Sequence, residues 1–376
     1  MTNSANDQRF MALALALGRR GQGRCWPNPA VGAVLVQGDR IVGRGWTQPG
    51  GRPHAETVAL AQAGAAAKGA TAYVTLEPCA HYGRTGPCAQ ALIDAGVARV
   101  VTAIADPDPR VSGQGHDMLR DAGVLVKTGL LATAARRDLA GYLSRTTQAR
   151  PFVTLKLALT LDGRIATATG ESQWITGPLA RRFGHAMRLR HDAVLVGGET
   201  ARIDDPDLRV RDMGVVQQPV RIVASRNAHV PQDGKLARTA QDAPVWILYD
   251  GATNKLDDAA KDHWKFASVR LVPIADIHQG QLAPDAMMAA LAEAGLTRIY
   301  CEGGGALASS LIAADQVDEL VVFQAGLVLG AEAKPGLGAL GVDRLAEANR
   351  FELSDLHRVG PDTVQIWRRK RCDLTD

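Results

Sequence analysis

One histidine, two cysteines and one glutamate are set apart by their chemistry: Pro53-His54-Ala55-Glu56, then Glu77-Pro78-Cys79, then Pro87-Cys88. Imidazole nitrogen and thiolate sulfur are donors that zinc prefers, and three protein ligands leave the fourth tetrahedral position to water. His54, Cys79 and Cys88 supply such a set. Glu56, two residues from His54, can stand beside the metal without binding it and carry protons from the water to a departing amine. Together they are what replacing an amino group on an amidine-type carbon by oxygen requires. The general pattern for this chemistry is H-x-E followed by P-C-x-x-C, whereas here eight residues, Ala80 to Pro87, separate the cysteines. That insertion is polar and would form a loop over the site. The bland rival is a closed zinc staple with His81, between the cysteines, as fourth ligand, but a staple leaves Glu56 without a role.

The elements that must position these residues alternate between helix and strand. Phe10, Met11, Ala14, Leu15 and Leu17 recur at helical spacing, with Gly21 and Gly23 ending the pattern. Two apolar runs, 30–36 and 40–46, flank Gln37-Gly38-Asp39 and predict a hairpin. Before it stands Pro27-Asn28-Pro29, where Asn28 is either a turn former or an amide donor to a substrate. A helix is expected over 54–67 and a strand over 70–76. Pro78 then ends the strand and releases Cys79 at its carboxyl edge, where ligands of α/β sheets collect. Pro87 suits the start of a helix running to Ala95. Strand 99–105, helix 113–122, strand 124–127 and helix 130–143 follow, and Pro151 marks the boundary between a domain 1–150 and a domain 151–376.

The second part repeats the alternation without repeating the residues. Strands are expected over 152–159, 193–196, 220–224, 245–249, 269–272, 298–301, 319–324 and 363–367, with helices over 178–190, 284–294 and 306–314. Cys301-Glu302-Gly303-Gly304-Gly305-Ala306-Leu307 runs from a strand through glycines straight into a helix, a place where backbone N–H groups can approach a pyrophosphate, although no G-x-G-x-x-G occurs here.

Composition narrows the class. The 376 residues suffice for two domains with cores of their own, and 43 basic against 39 acidic side chains leave a charge of +4. That balance, with 5% aromatic residues, argues against a nucleic-acid surface and so against a polynucleotide deaminase with a docking domain behind it. Five cysteines are not a disulfide framework. The early apolar run 10–17 is too short to span a bilayer, so no membrane partner and a cytoplasmic location are expected. Val321, Val322, Phe323 and the run Leu327-Val328-Leu329 are apolar enough to form a homo-oligomer contact if exposed.

Asn28-Pro29-Ala30-Val31-Gly32, the Pro53 to Glu56 stretch, and the segment from Thr75 to Cys88 resemble the deaminase half of the bifunctional riboflavin-biosynthesis deaminase/reductase family, whose own cysteine spacing is the wide one. Asp162-Gly163-Arg164, Gly170 to Thr176, Gly197-Gly198-Glu199-Thr200, Asp204 to Leu208 and Arg211 resemble its reductase half in order and spacing. The resemblance implies a cytidine-deaminase-like α/β/α domain followed by a dihydrofolate-reductase-like α/β domain. It implies zinc and NADPH as cofactors and a phosphoribosylated pyrimidine as substrate. Carried over by position, His54, Cys79 and Cys88 bind zinc, Glu56 moves the proton, and Asn28, His81 and Arg84 face the substrate. The cofactor set is Ala158, Trp174, Thr200, Asp204, Ser225 and Gly304, Gly305, Ala306, Leu307, Ala308, Ser309 and Ser310. The second substrate set is Ser172, Arg188, Leu208, Arg211 and Glu302. Ser225-Arg226, after the strand ending at Ala224, favours NADPH over NADH. Here the chain departs from the family pattern, with Ala224 where an aspartate is common and Asn227-Ala228-His229 without the usual second arginine.

Overall fold

The computed structural model describes residues 4–82, 86–215, 217–252, 256–278 and 280–370. The chain divides into two compact units, Met1–Arg150 and Pro151–Asp376.

The first unit is built on a five-stranded sheet in the order Arg40–Trp46, Gly32–Gln37, Thr71–Val74, Arg99–Thr102, Leu125–Lys127. The first two pairings are antiparallel and the last two parallel. The interior strands are almost wholly buried because helices cover the sheet, and helix Ser4–Gly18 contributes Phe10, Met11, Ala14 and Leu15 to the core. Helix Ala55–Ala63 lies so close to the hairpin that a Cβ on Gly45 would stand 2.0 Å from the Ala55 carbonyl oxygen. Glycine at that position therefore sets the approach of the helix that begins beside His54 and Glu56.

Several boundaries differ from the sequence reading. The helix expected over 54–67 ends at Ala63 and continues as a 3-10 turn, Gly64–Ala67, because Gly64 leaves helical geometry at φ 53°. The helix expected over 130–143 is two, Ala132–Asp138 and Ala140–Gln148, joined through the buried Leu139. Apolar spacing continues across that break and hides it.

The second unit carries a nine-stranded sheet in the order Val269–Ile274, Val245–Asp250, Val220–Ala224, Ala193–Gly197, Arg298–Cys301, Phe152–Leu159, Glu319–Gln324, Asp362–Arg369, Phe351–Val359. The first seven strands are parallel and the last two antiparallel. Parallel strands buried on both faces read as unbroken apolar runs, which is why the central ones are legible in sequence. Phe351–Val359 is not, since this edge strand buries too little to show a period. Helix Asp258–Phe266 escapes the same way, as Trp264 is its single buried residue.

Glu319–Gln324 lies inside the sheet, so Val321 and Phe323 are buried in the core and are unavailable as a subunit contact; Leu327 and Val328 are exposed. Among the described residues no helix is long and apolar enough to cross a membrane.

Candidate active sites

In the first unit, His54 is the extended residue capping helix Ala55–Ala63, and Glu56 is buried in that helix's first turn. Cys88 opens helix Cys88–Asp94, and its backbone N–H donates to the Cys79 Sγ at 3.3 Å, while the Ala89 N–H donates to the Cys79 carbonyl at 3.2 Å. This folding back closes the wide cysteine spacing. His54 Nδ1 stands 3.3 Å from the Cys88 Sγ and 3.7 Å from the Cys79 Sγ, and all three donor atoms lie within 4.8 Å of one another. With bonds of about 2.0–2.3 Å, tetrahedral zinc places neighbouring ligand atoms about 3.3–3.8 Å apart, so the cradle fits the ion in donor type and in spacing. His81 is not part of this cluster, and a staple lacks its fourth ligand among the described residues.

The two thiols are pushed in opposite directions. Hydrogen bonds from Cys88, then from His54, pull the Cys79 thiol down to about 4 against the cost of burial. Contact with Cys79, together with burial, pushes the Cys88 thiol up. Cys79 also holds the His54 imidazole above its ordinary value. Burial, and after it the charge of Cys79, raises the Glu56 carboxyl to about 7, with His54 opposing the rise. A divalent cation in the cradle would oppose it further.

Glu77, which the motif reading passed over, holds the floor of the site. Its buried carboxylate accepts four backbone N–H groups, from Asp106 and Gly113 on one oxygen and from Gly115 and His116 on the other. Segment 106–116, which runs into helix Gln114–Asp121, is thereby clamped against Pro78, where a Cβ on Gly115 would meet the Pro78 carbonyl oxygen at 2.0 Å. The signal was the acid in Glu77-Pro78-Cys79 itself. Asn28 donates its Nδ2 to the Gly51 carbonyl at 2.8 Å, which gives the amide a turn-holding bond two residues before Pro53. His81 Nδ1 is buried without a hydrogen-bond partner among the described residues. Arg84 lies outside them.

In the second unit, a cavity of about 490 Å³ opens at the carboxyl ends of the adjacent parallel strands Val220–Ala224, Ala193–Gly197 and Arg298–Cys301. Of the predicted cofactor residues, Thr200, Ser225, Gly304, Gly305, Ala306, Leu307 and Ser310 line it. Helix Gly305–Ala313 begins there without a side-chain cap, and a Cβ on Gly304 would point toward Thr200 Oγ1 at 3.7 Å. Its open N–H groups and the basic side chains Arg202 and Arg226 fit a phosphate-bearing dinucleotide. The remaining members of the set are elsewhere. Ala158 packs on the Tyr300 and Phe323 cluster, Ala308 and Ser309 turn into the core, Asp204 ends its helix exposed, and Trp174 is 66% exposed against the Arg181 guanidinium. Arg202, Gln281, Leu282 and Met287 line the cavity without having been singled out from sequence.

Of the second substrate set, Arg188 and Glu302 meet directly. Arg188 Nε donates to Glu302 Oε1 at 2.5 Å and Nη2 to Oε2 at 3.2 Å, while Nη1 holds the Arg209 carbonyl at 2.9 Å. Lys156 Nζ stands 3.7 Å from Glu302 Oε2. Burial works to raise the Glu302 carboxyl, yet Arg188 and then Lys156 outweigh it and hold it down to about 2. The exposed Arg211 joins the group through its backbone N–H, which reaches His185 Nδ1 at 3.3 Å. Leu208 is buried in the core at φ 59°, and Ser172 is exposed in the loop before helix Pro178–Leu189.

These two sites sit in regions that match known families. Residues 4–104 match the cytidine and deoxycytidylate deaminase zinc-binding region, and residues 151–365 match the RibD C-terminal domain. The riboflavin biosynthesis protein RibD of Escherichia coli K12 is 41% identical over 95% of this chain and 97% of its own, and that of Haemophilus influenzae is 40% identical over 98% of each. The chain belongs to the RibD family. Solved RibD structures agree along the whole length. Acinetobacter baumannii RibD superposes with a TM-score of 0.87 at 34% identity, covering 98% of this chain and 100% of that one. A diaminohydroxyphosphoribosylaminopyrimidine deaminase/5-amino-6-(5-phosphoribosylamino)uracil reductase from Thermotoga maritima superposes with 0.85 at 30% identity, covering 97% and 99%. As a RibD-family enzyme of riboflavin biosynthesis, this chain joins a cytidine-deaminase-like, zinc-binding domain to a dihydrofolate-reductase-like reductase domain.

Proposed function

We propose that the first unit deaminates 2,5-diamino-6-(5-phosphoribosylamino)pyrimidin-4-one and that the second reduces the resulting 5-amino-6-(5-phosphoribosylamino)uracil at its ribosyl chain to the ribityl compound. The observation that carries the first step is the three-donor cradle of His54, Cys79 and Cys88 with a buried, non-ligating carboxylate beside it. Zinc held there supplies the Lewis acidity that makes water a nucleophile near neutral pH. Glu56 takes the proton of the attacking water on its carboxylate and returns it to the departing amine, and the exchange of nitrogen for oxygen on the ring releases ammonia. His81, whose buried Nδ1 has no hydrogen-bond partner among the described residues, would accept or donate a hydrogen bond to the pyrimidine.

For the second step, NADPH supplies hydride to C1 of the ring-opened sugar. The chain's own part is to bind and orient. The uncapped start of helix Gly305–Ala313 receives the pyrophosphate, and Ser225 with Arg226 receives the ribose phosphate. Arg188 fixes Glu302 in one orientation, leaving Arg211 and Lys156 to meet the substrate's phosphate and sugar. The substrate is a small phosphorylated pyrimidine, and a homo-oligomer in the cytoplasm is the expected state, with Leu327 and Val328 as exposed apolar positions.

One assay tests both steps. The phosphoribosylated diaminopyrimidine is supplied with NADPH, and ammonia and NADPH are followed together. Equal amounts of ammonia released and NADPH consumed are expected; ammonia without NADPH consumption, even when the deaminated product is supplied, would remove the reductase assignment.

A further inference from the structure

We propose that Arg202 is the second guanidinium that selects a 2′-phosphorylated dinucleotide in the cavity of the second unit. The inference rests on the reading of that cavity as the NADPH site and goes beyond it, because it names the side chain that would set the choice between phosphorylated and unphosphorylated nucleotide. After strand Val220–Ala224 the chain offers Ser225-Arg226 and then Asn227-Ala228-His229, with Arg226 the one guanidinium in that run.

The structure brings a second one from the neighbouring strand. Arg202 belongs to helix Gly198–Asp204, which follows Ala193–Gly197, the parallel partner of Val220–Ala224. Its Nη1 donates to the His229 carbonyl at 3.1 Å, and the Ser225 hydroxyl donates to the same oxygen at 3.4 Å. Guanidinium and hydroxyl also flank one point in space, since a Cβ built on Gly198 would lie 2.9 Å from Ser225 Oγ and 3.1 Å from Arg202 Nη1. Arg226, tied through Nη1 to the Gly280 carbonyl at 2.6 Å, lines the same cavity.

The charges at this end suit a phosphomonoester. A ribose diol is recognised by a carboxylate at the end of the strand, and Ala224 and Ser225 provide none. Glu199 is the acid in the cavity lining; it is exposed, and among the described residues it makes no ion pair with Arg202. With one N–H bond spent on His229, Arg202 retains donors on its other nitrogen atoms, in the fork geometry that suits a phosphate.

The test is equilibrium titration of the full-length protein with NADPH and with NADH, read by nicotinamide fluorescence, for the parent, Arg202→Gln and Arg202→Lys. Circular dichroism confirms that each variant is folded, as expected for an exposed side chain. The expected result is a loss of NADPH affinity of about 10- to 100-fold in Arg202→Gln, with NADH affinity unchanged within about threefold and partial recovery in Arg202→Lys. NADPH affinity unchanged in Arg202→Gln, or NADH affinity falling in parallel, overturns the proposal. A parent protein that binds neither nucleotide instead rejects the cofactor reading of the cavity, and the role of Arg202 with it.

Discussion

Cys79 and Cys88 are separated by eight residues, yet the backbone N–H of Cys88 reaches the sulfur of Cys79 at 3.3 Å. Pro87-Cys88 stands back beside Cys79, so both sulfurs meet His54 Nδ1 as a shorter spacing would allow. A helix start delivers Cys88, and its amide favours the thiolate form of Cys79.

Replacing Cys88 by alanine therefore removes one donor from a three-donor site. Bound zinc, measured by metal analysis after dialysis, is expected to fall well below one per chain, and ammonia release with it. NADPH oxidation with supplied deaminated product is expected to persist, because the cavity that serves it lies in the other unit.

Glu56→Gln separates metal binding from proton transfer. Zinc content is expected to stay near the parent's, while the rate of ammonia release drops by about 10²- to 10⁴-fold, the range for loss of a general acid–base group. Parallel loss of zinc would identify Glu56 as a ligand and contradict its role as proton carrier.

Glu77→Gln tests the clamp beneath the cradle. An amide offers one acceptor oxygen where the carboxylate offers two, and four backbone N–H groups now converge on those two. Each donor left buried without a partner costs about 1–3 kcal/mol, so urea unfolding should show a loss of at least that size. Zinc should also bind more weakly, since Pro78-Cys79 rests on the loop that Glu77 orders.

A pH test is available in the second unit, away from any metal. His191 is fully buried between the Met187 carbonyl and Thr154 Oγ1, and burial pushes its pKa from 6.5 down to about 3. Between those values the unfolded chain takes up a proton that the folded chain refuses. Stability contributed by His191 is thus complete above pH 6.5 and is lost as pH falls toward 3, by at most about 1.4 kcal/mol per pH unit. His191→Gln should lack this slope, and the difference in unfolding free energy between parent and variant should shrink as pH is lowered from 7 to about 4.5.

What the sequence by itself determined is local chemistry and buried pattern. His54, Glu56, Cys79 and Cys88 stand out by residue type, because few side chains bind zinc or carry protons, and the fold brings the three metal-type donors together. The inner parallel strands declare themselves because burial on both faces leaves an unbroken apolar run. Tertiary structure decided everything that depends on convergence. Glu77 looked like part of a cysteine motif and is a four-fold backbone acceptor, because its partners come from a loop and helix start 29 to 39 residues away. Arg188 and Glu302, 114 residues apart, read as independent substrate contacts and form one partly buried ion pair. Arg202 carried no signal at all, since its meaning comes from a carbonyl on a neighbouring loop that also holds Ser225. Residue types are written in order along the chain; which of them share a cavity is set by how adjacent strands pair and where their carboxyl ends meet.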